Sequence, residues 1–258
     1  MEQTTIAKLG KIERSEIRFD QGRHHRAKIG YVLLATEQTI QDDVMKLRPE
    51  GVGIHMTRAA IPDSITNATL AAQADLLAEC ASTLLPDGSL DVVCYACTSG
   101  SLVIGEERVA AELRKGAPNA RATSLITGVI RALRAVGAKR IVVGTPYLEE
   151  INEREAIYLE KAGFDVLSIT GLNLEQDSDM VRVAPDYIAE FALSLDRPDA
   201  DAIFISCGAL RTIDVVGHIE SRAGKPVIAS NQAMIWDTLR LAGIDDRING
   251  YGRLLQEC

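Results

Sequence analysis

Positive charge is in short supply: 28 Lys and Arg stand against 36 Asp and Glu, leaving a net charge of −8. With a pI near 5.1, that balance argues against a nucleic-acid or anionic-membrane partner. No apolar run reaches the roughly 18 residues that span a bilayer, and residues 1–10 lack a signal-peptide core. There is no Gly-x-Gly-x-x-Gly after a strand, no phosphate-binding loop and no His-Glu-x-x-His, so no nucleotide cofactor or zinc is expected. Residues 94–97 read C-x-x-C, but no second pair completes a metal site. The five cysteines are too few and too unevenly spaced for a disulfide framework. Free thiols in a cytoplasmic protein are the expectation, with Cys94 in the core, Cys80 buried and inert, and Cys258 without a role.

What is present is a repeated strand–loop–helix pattern. Residues 91–105, DVVCYACTSGSLVIG, run from a buried strand into Cys97 and then into a helix. Residues 201–212, DAIFISCGALRT, do the same through Cys207, 110 positions later. Residues 28–44 resemble 139–156, and 120–137 resemble 225–243, in the same order and at a similar offset. Matched segments at one spacing argue for two similar halves.

The periodicity predicts strands at 28–35, 51–57, 122–124, 140–144, 164–170, 202–206 and 226–230, besides the strand before Cys97. Helices are predicted from 40–47, along a long stretch at 65–85, and at 106–113, 128–136, 150–162, 186–195 and 213–223. Strands alternating with helices mean parallel sheets covered on both faces. The fold class is therefore α/β, in two pseudo-symmetric lobes. Each lobe is a parallel sheet flanked by helices, and the active site lies in the cleft between them. The expected division is an N-terminal extension at 1–27, a first lobe of 28–124 with 231–258, and a second lobe of 125–230. The extension is either mobile or packed at a subunit interface, and its His24 and His25 read as a solvated basic patch.

Ligands in such sheets lie at the carboxyl ends of the strands. Loops 36–39, 97–101, 145–147 and 207–209 all occupy such ends. A thiol at a helix start meets free N–H groups and the positive end of the helix dipole, which favours thiolate and binds carboxylate. Thr98, Ser99, Gly208 and Ala209 are placed to supply those donors. His55 reads as a strand-end residue and His218 as a helix residue, so a Cys–His hydrolase is weakly supported. Two thiols facing across a cleft can move a proton from one face of a carbon acid to the other. Alternatively, one thiol adds to an activated double bond, permits rotation and leaves.

Several fragments together resemble the aspartate/glutamate racemase superfamily, in the branch holding maleate cis–trans isomerase, arylmalonate decarboxylase and the ectoine-utilisation racemase-like proteins. They are residues 95–100 (YACTSG), Pro146-Tyr147 with Asn152-Glu153-Arg154, Ser206-Cys207-Gly208, residues 226–230 (PVIAS) and residues 250–254 (GYGRL). The resemblance spans about residues 28–255. It implies a cofactor-independent isomerase or racemase for a small carboxylic acid, with Cys97 as nucleophile or first acid/base and Cys207 as the second. It also implies that Tyr147 and Asn173 bind the substrate. The decarboxylases of this branch carry Gly where Cys97 stands, so a malonate decarboxylase using Cys207 alone is the alternative. A non-catalytic carboxylate-binding protein is another, and a homodimer is compatible with all three.

One position departs from the maleate isomerase pattern. Glu37 stands where those proteins carry an Asn, within an Ala35–Thr39 stretch more like the ectoine-utilisation proteins. A carboxylate there repels a second substrate carboxylate and raises the pKa of Cys97 if close. It can also act as a base on that thiol or pair with a substrate ammonium. The expected substrate carries one carboxylate, with an amine as an option, as in an amino acid from ectoine breakdown.

Overall fold

The computed structural model describes residues 14–258. Residues 1–13 of the expected N-terminal extension lie outside them. Residues 14–26 form no helix or strand and are largely exposed, although His24 is half-buried with its ring edge-on to His55 at 5.5 Å.

The first half runs β1 (Ala27–Leu34), α1 (Ile40–Leu47), β2 (Val52–Ala59), α2 (Asn67–Ala72), α3 (Leu77–Ser82), β3 (Val92–Tyr95), α4 (Thr98–Ile104), α5 (Glu106–Gly116) and β4 (Arg121–Ser124). After α6 (Leu125–Ala135) come β5 (Arg140–Thr145), α7 (Glu149–Lys161), β6 (Asp165–Gly171), α8 (Asp177–Met180), α9 (Pro185–Ser194), β7 (Ala202–Ile205), α10 (Val216–Ala223), β8 (Val227–Ala229), α11 (Ser230–Leu241) and α12 (Arg253–Glu257). The sheets have orders β2-β1-β3-β4 and β6-β5-β7-β8, parallel throughout. Ile29 pairs with Val92 in one, and Ile141 pairs with Ala202 in the other. The repeat in the sequence is thus a repeat of topology and nearly of register.

Burial follows from that order. Strands β3 and β7 are buried at every residue, whereas β6, on a sheet edge, is half-exposed for most of its length. Central strands of a parallel sheet are covered on both faces and need continuous apolar runs. Alternate side chains then enter opposite core layers. Val93, Tyr95 and Cys97 join a layer that also holds Val142, Ile203 and Cys207. Cys94 and Ala96 join the other, with Ile141, Val143 and Phe204. Cys94 is fully buried, as expected, and its sulfur is on the wrong face to reach the cavity described below. Each core layer takes residues from both sheets.

Helices α6 and α11 form the seam between the halves and pack on each other. Gly128 is what lets them approach: a Cβ there would lie 3.1 Å from the Ala233 carbonyl oxygen. Asp237 on α11 takes hydrogen bonds from Thr123 on β4 (2.8 Å) and Arg131 on α6 (2.9 Å). Tyr31 on β1 shares a 2.6 Å hydrogen bond with Thr238. The helix that follows the last strand of the second sheet is thereby fastened to the first.

The segment 65–85 corrects the single long helix expected from its periodicity. The helix begins at Asn67, behind a reciprocal cap between Thr66 and Thr69. It tightens to a 3-10 turn over Gln73–Leu76, where the Gln73 amide donates to the Ala60 carbonyl at 2.9 Å, and ends at Ser82. All pieces keep one apolar face, with Leu70, Ala74, Leu77 and Ala81 buried, so the pattern did not register the break. Cys80 is likewise half-buried and not enclosed.

Candidate active site

Strand ends β1, β3, β5 and β7 converge on one tight cavity of about 30 Å³, room for a water or two. Its wall includes Leu34, Glu37, Ile40, Ile65, Cys97, Thr98, Ser99, Tyr147, Asp177, Met180, Cys207, Gly208 and Ala209. The structure therefore brings together every residue singled out in the sequence except Asn173. That residue is exposed, in the left-handed region at φ 60°, and lines an outer depression instead. The Leu172 and Leu174 amides on either side of it are tied to the Thr145 and Pro146 carbonyls, so the turn carries it past the cavity.

Each thiol has its own amide donor. Cys97 caps α4, and its Sγ accepts the Gly100 N–H at 3.2 Å. Cys207 Sγ accepts the Ala209 N–H at 3.3 Å. The Thr98, Ser99 and Gly208 amides enter no hydrogen bond among the described residues, so three N–H donors stand open beside the sulfurs. Gly208 is held close by packing: a Cβ there would lie 2.6 Å from Ile40 Cδ1.

One hydroxyl ties the two cysteine loops together. Ser230 Oγ accepts the Cys207 N–H at 3.0 Å and the Thr98 hydroxyl at 3.1 Å. Its neighbour Asn231 donates to the Gly208 carbonyl (2.8 Å) and to Asp43 (2.7 Å). Behind Cys207, Ser206 donates to the fully buried Glu155 at 2.7 Å. Sequence reading missed Ser230. Its signal lay in the repeat: Ser124 ends β4 as Ser230 follows β8, but Ser124 caps its own helix through Thr127.

Burial decides the electrostatics, and here the structure corrects an expectation. Both thiols have pKa values raised above the ordinary thiol range, chiefly by burial. The Gly100 N–H and Ser99 pull Cys97 back. Asp177 pushes Cys207 further up, while the Tyr147 hydroxyl and the Ala209 N–H pull it down. One amide per sulfur does not offset the loss of water around a thiolate, so burial biases both groups toward the thiol form. Glu37 is also raised by burial, against the amides of Ile40 and Thr39 and the charge of Arg58.

Asp177 is the second residue that the sequence did not reveal. It sits in an acidic stretch, QDSD, with nothing local to mark it, and the fold alone brings it into the cavity. Its carboxylate accepts the Thr36 hydroxyl at 2.6 Å, and burial raises its pKa. The segment carrying it closes on residues 63–65 from the first half. Ser178 donates to Asp63 through its amide (2.9 Å) and hydroxyl (2.6 Å), and the Asp177 amide reaches the Asp63 carbonyl at 3.0 Å. The Ile65 amide bonds the Glu175 carbonyl at 3.1 Å, and the Ser64 hydroxyl bonds Glu175 at 2.6 Å. This clasp leaves Cys97 7% and Cys207 6% exposed. Among the described residues no group of three or more His, Cys, Asp or Glu side chains could hold a metal ion, and no helix is long and apolar enough to cross a membrane.

Two similar parallel sheets, each ending its third strand in a thiol on a shared cavity, define a two-lobed α/β protein with paired cysteines. The chain belongs to the arylmalonate decarboxylase family, whose model matches residues 39–255, and so to the aspartate/glutamate racemase-like superfamily. It is 36% identical over 141 residues to the arylmalonate decarboxylase of Bordetella bronchiseptica, a match covering 52% of this chain and 58% of that protein. It is 26% identical over 242 residues to the maleate isomerase of Nocardia farcinica, covering 89% of this chain and 96% of that one. The structure of a cysteine-to-serine mutant of the Nocardia farcinica maleate cis–trans isomerase, with a covalently bound succinylcysteine intermediate, superposes with a TM-score of 0.82. That superposition has 25% identity and covers 90% of this chain and 99% of the other.

Proposed function

We propose that the protein is a cofactor-independent, two-cysteine isomerase or racemase acting on a small carboxylic acid. The observation that carries this reading is that Cys97 and Cys207 line one cavity, each with its own amide donor. Open amides at Thr98, Ser99 and Gly208 suit a carboxylate, and they stabilise the extra charge when it becomes an enediolate. In a racemisation one sulfur, as thiolate, takes the Cα proton while the other, as thiol, returns a proton to the opposite face. In a cis–trans isomerisation a thiolate adds to one alkene carbon, and the electron pair moves into the adjacent carboxylate. Rotation about the new single bond and expulsion of the thiolate then give the other isomer. The similarity to a maleate isomerase carrying a cysteine-bound intermediate supports the isomerase class.

A decarboxylase using Cys207 alone is the second reading, favoured by the family match and the 36% identity. The second thiol at position 97 weighs against it. Free thiols throughout support action in the cytoplasm. A homodimer, and a role for the enzyme in using amino acids from ectoine, belong to the same proposal.

Proton NMR in deuterium oxide tests it, on maleate, chiral amino and hydroxy acids, and alkyl- or arylmalonates, with wild type beside Cys97→Ala and Cys207→Ala. Fumarate formation, or deuterium at Cα without loss of a carboxylate, should fall on the order of 10³-fold or more in both variants. Loss of a carboxylate that survives Cys97→Ala would move the protein to the decarboxylases.

A further inference from the structure

The charges around the cavity narrow the substrate class, on the isomerase reading above. Among the described residues the wall carries two carboxylates, Glu37 and Asp177, and no Lys, Arg or His. Each residue is 5% exposed. Glu37 spends Oε1 on the Thr39 and Ile40 amides at the start of α1. Its other oxygen, Oε2, is buried without a hydrogen-bond partner among the described residues. A buried carboxylate oxygen left in that state calls for a donor from the cavity. Asp177 arrives from the other half on the clasp segment and lies near enough to both sulfurs for its charge to act on each. The neighbouring cation favours the charged form of Glu37 without lining the cavity. Arg58 donates to the main-chain carbonyls of Leu34 and Glu37 and is not part of the wall.

The cavity thus presents two carboxylates together with the open N–H donors of Thr98, Ser99 and Gly208. A dicarboxylate would bring its second charge against Glu37 or Asp177 with no cation among the described wall residues to compensate, which desolvation makes costly. A zwitterion meets both kinds of group. We propose that the site selects a small amino-bearing monocarboxylate, with Glu37 and Asp177 holding its ammonium and rejecting dicarboxylates. The open amides of Thr98, Ser99 and Gly208 take its carboxylate. Asp177 is then a specificity-determining residue, and one that reaches the ligand only when the clasp is shut.

Isothermal titration calorimetry on the full chain tests this, with both 2-aminobutyrate enantiomers, butyrate and maleate as probes. One aminobutyrate enantiomer should bind at least about tenfold more tightly than butyrate, and maleate should be weakest. Glu37→Gln and Asp177→Asn are nearly isosteric, and each should cut the amino preference about tenfold and strengthen maleate binding. The two variants are independent, so failure of one to fold leaves the other as the test. Maleate binding wild type more tightly than aminobutyrate overturns the proposal, as does a preference absent from wild type or unchanged in the variants. The isomerase reading is scored separately. Bound aminobutyrate with no deuterium entering Cα keeps the charge selection and removes the isomerase. Wild-type conversion of maleate to fumarate removes the charge selection and keeps the isomerase.

Discussion

Cys97 and Cys207 end equivalent strands, yet their backbones differ in sign: φ is −144° at Cys97 and 94° at Cys207. Both still present Sγ to an amide of the following turn. The left-handed conformation at Cys207 is one that side chains other than glycine avoid, and the Ser230 hydroxyl holds its N–H in place.

That strain is measurable. Replacing Cys207 by Gly removes the Cβ and its cost, whereas Ala keeps it. Chemical denaturation should find Cys207→Gly more stable than Cys207→Ala by about 1 kcal/mol, and equal stability would show that the conformation is unstrained.

Ser230→Ala removes the acceptor of both the Cys207 amide and the Thr98 hydroxyl. A buried N–H without a partner costs about 1–3 kcal/mol, so unfolding should come earlier by that amount. Turnover should fall as well, because the two cysteine loops lose their common anchor, and steady-state kinetics beside the denaturation curve would check it.

Thiol labelling should divide the five cysteines. The half-buried Cys80 and Cys258 should react first with a disulfide reagent, and Cys94, Cys97 and Cys207 slowly. Asp63→Ala removes both side-chain bonds to the Ser178 segment and should speed labelling of Cys97 and Cys207 about tenfold or more, leaving Cys94 protected. Mass spectrometry of the labelled peptides separates the sites, and parallel acceleration of Cys94 would mean general unfolding.

Stability should also depend on Glu155, whose carboxyl burial pushes up to about 7. A folded-state pKa above the unfolded value gives stability that is full below the unfolded pKa and is lost as pH rises toward the folded one. Wild type should therefore lose up to about 3 kcal/mol between roughly pH 4.5 and 7 relative to Glu155→Gln. Denaturation curves of both proteins across that window decide it. Parallel pH profiles would mean that Glu155 does not titrate there.

Much of this architecture was legible because it is written in local periodicity. The repeat at 28–44 and 139–156 announced β1 and β5, and the two strand–Cys–helix segments announced β3 and β7. Glu37 and Tyr147 could be picked out as strand-end residues, although the way Glu37 forks onto the first amides of α1 could not. Asp177 and Ser230 stayed hidden for a different reason. Their importance comes from partners 141 and 132 positions away, at Thr36 and Thr98, and contacts of that range leave no trace in a window of sequence. The raised thiol pKa values were missed likewise, since a helix start predicts donors but not how completely the clasp excludes water.

The core layers shared by both sheets, and the seam of α6 and α11, constrain how a substrate gets in. A hinge needs two bodies with a thin connection, and here prising the sheets apart would tear apolar contacts along the whole seam. Clamshell opening would have to break that seam, whereas release of the short segments around Asp63 and Ser178 breaks only a few hydrogen bonds, which makes the rim the lower-cost way in.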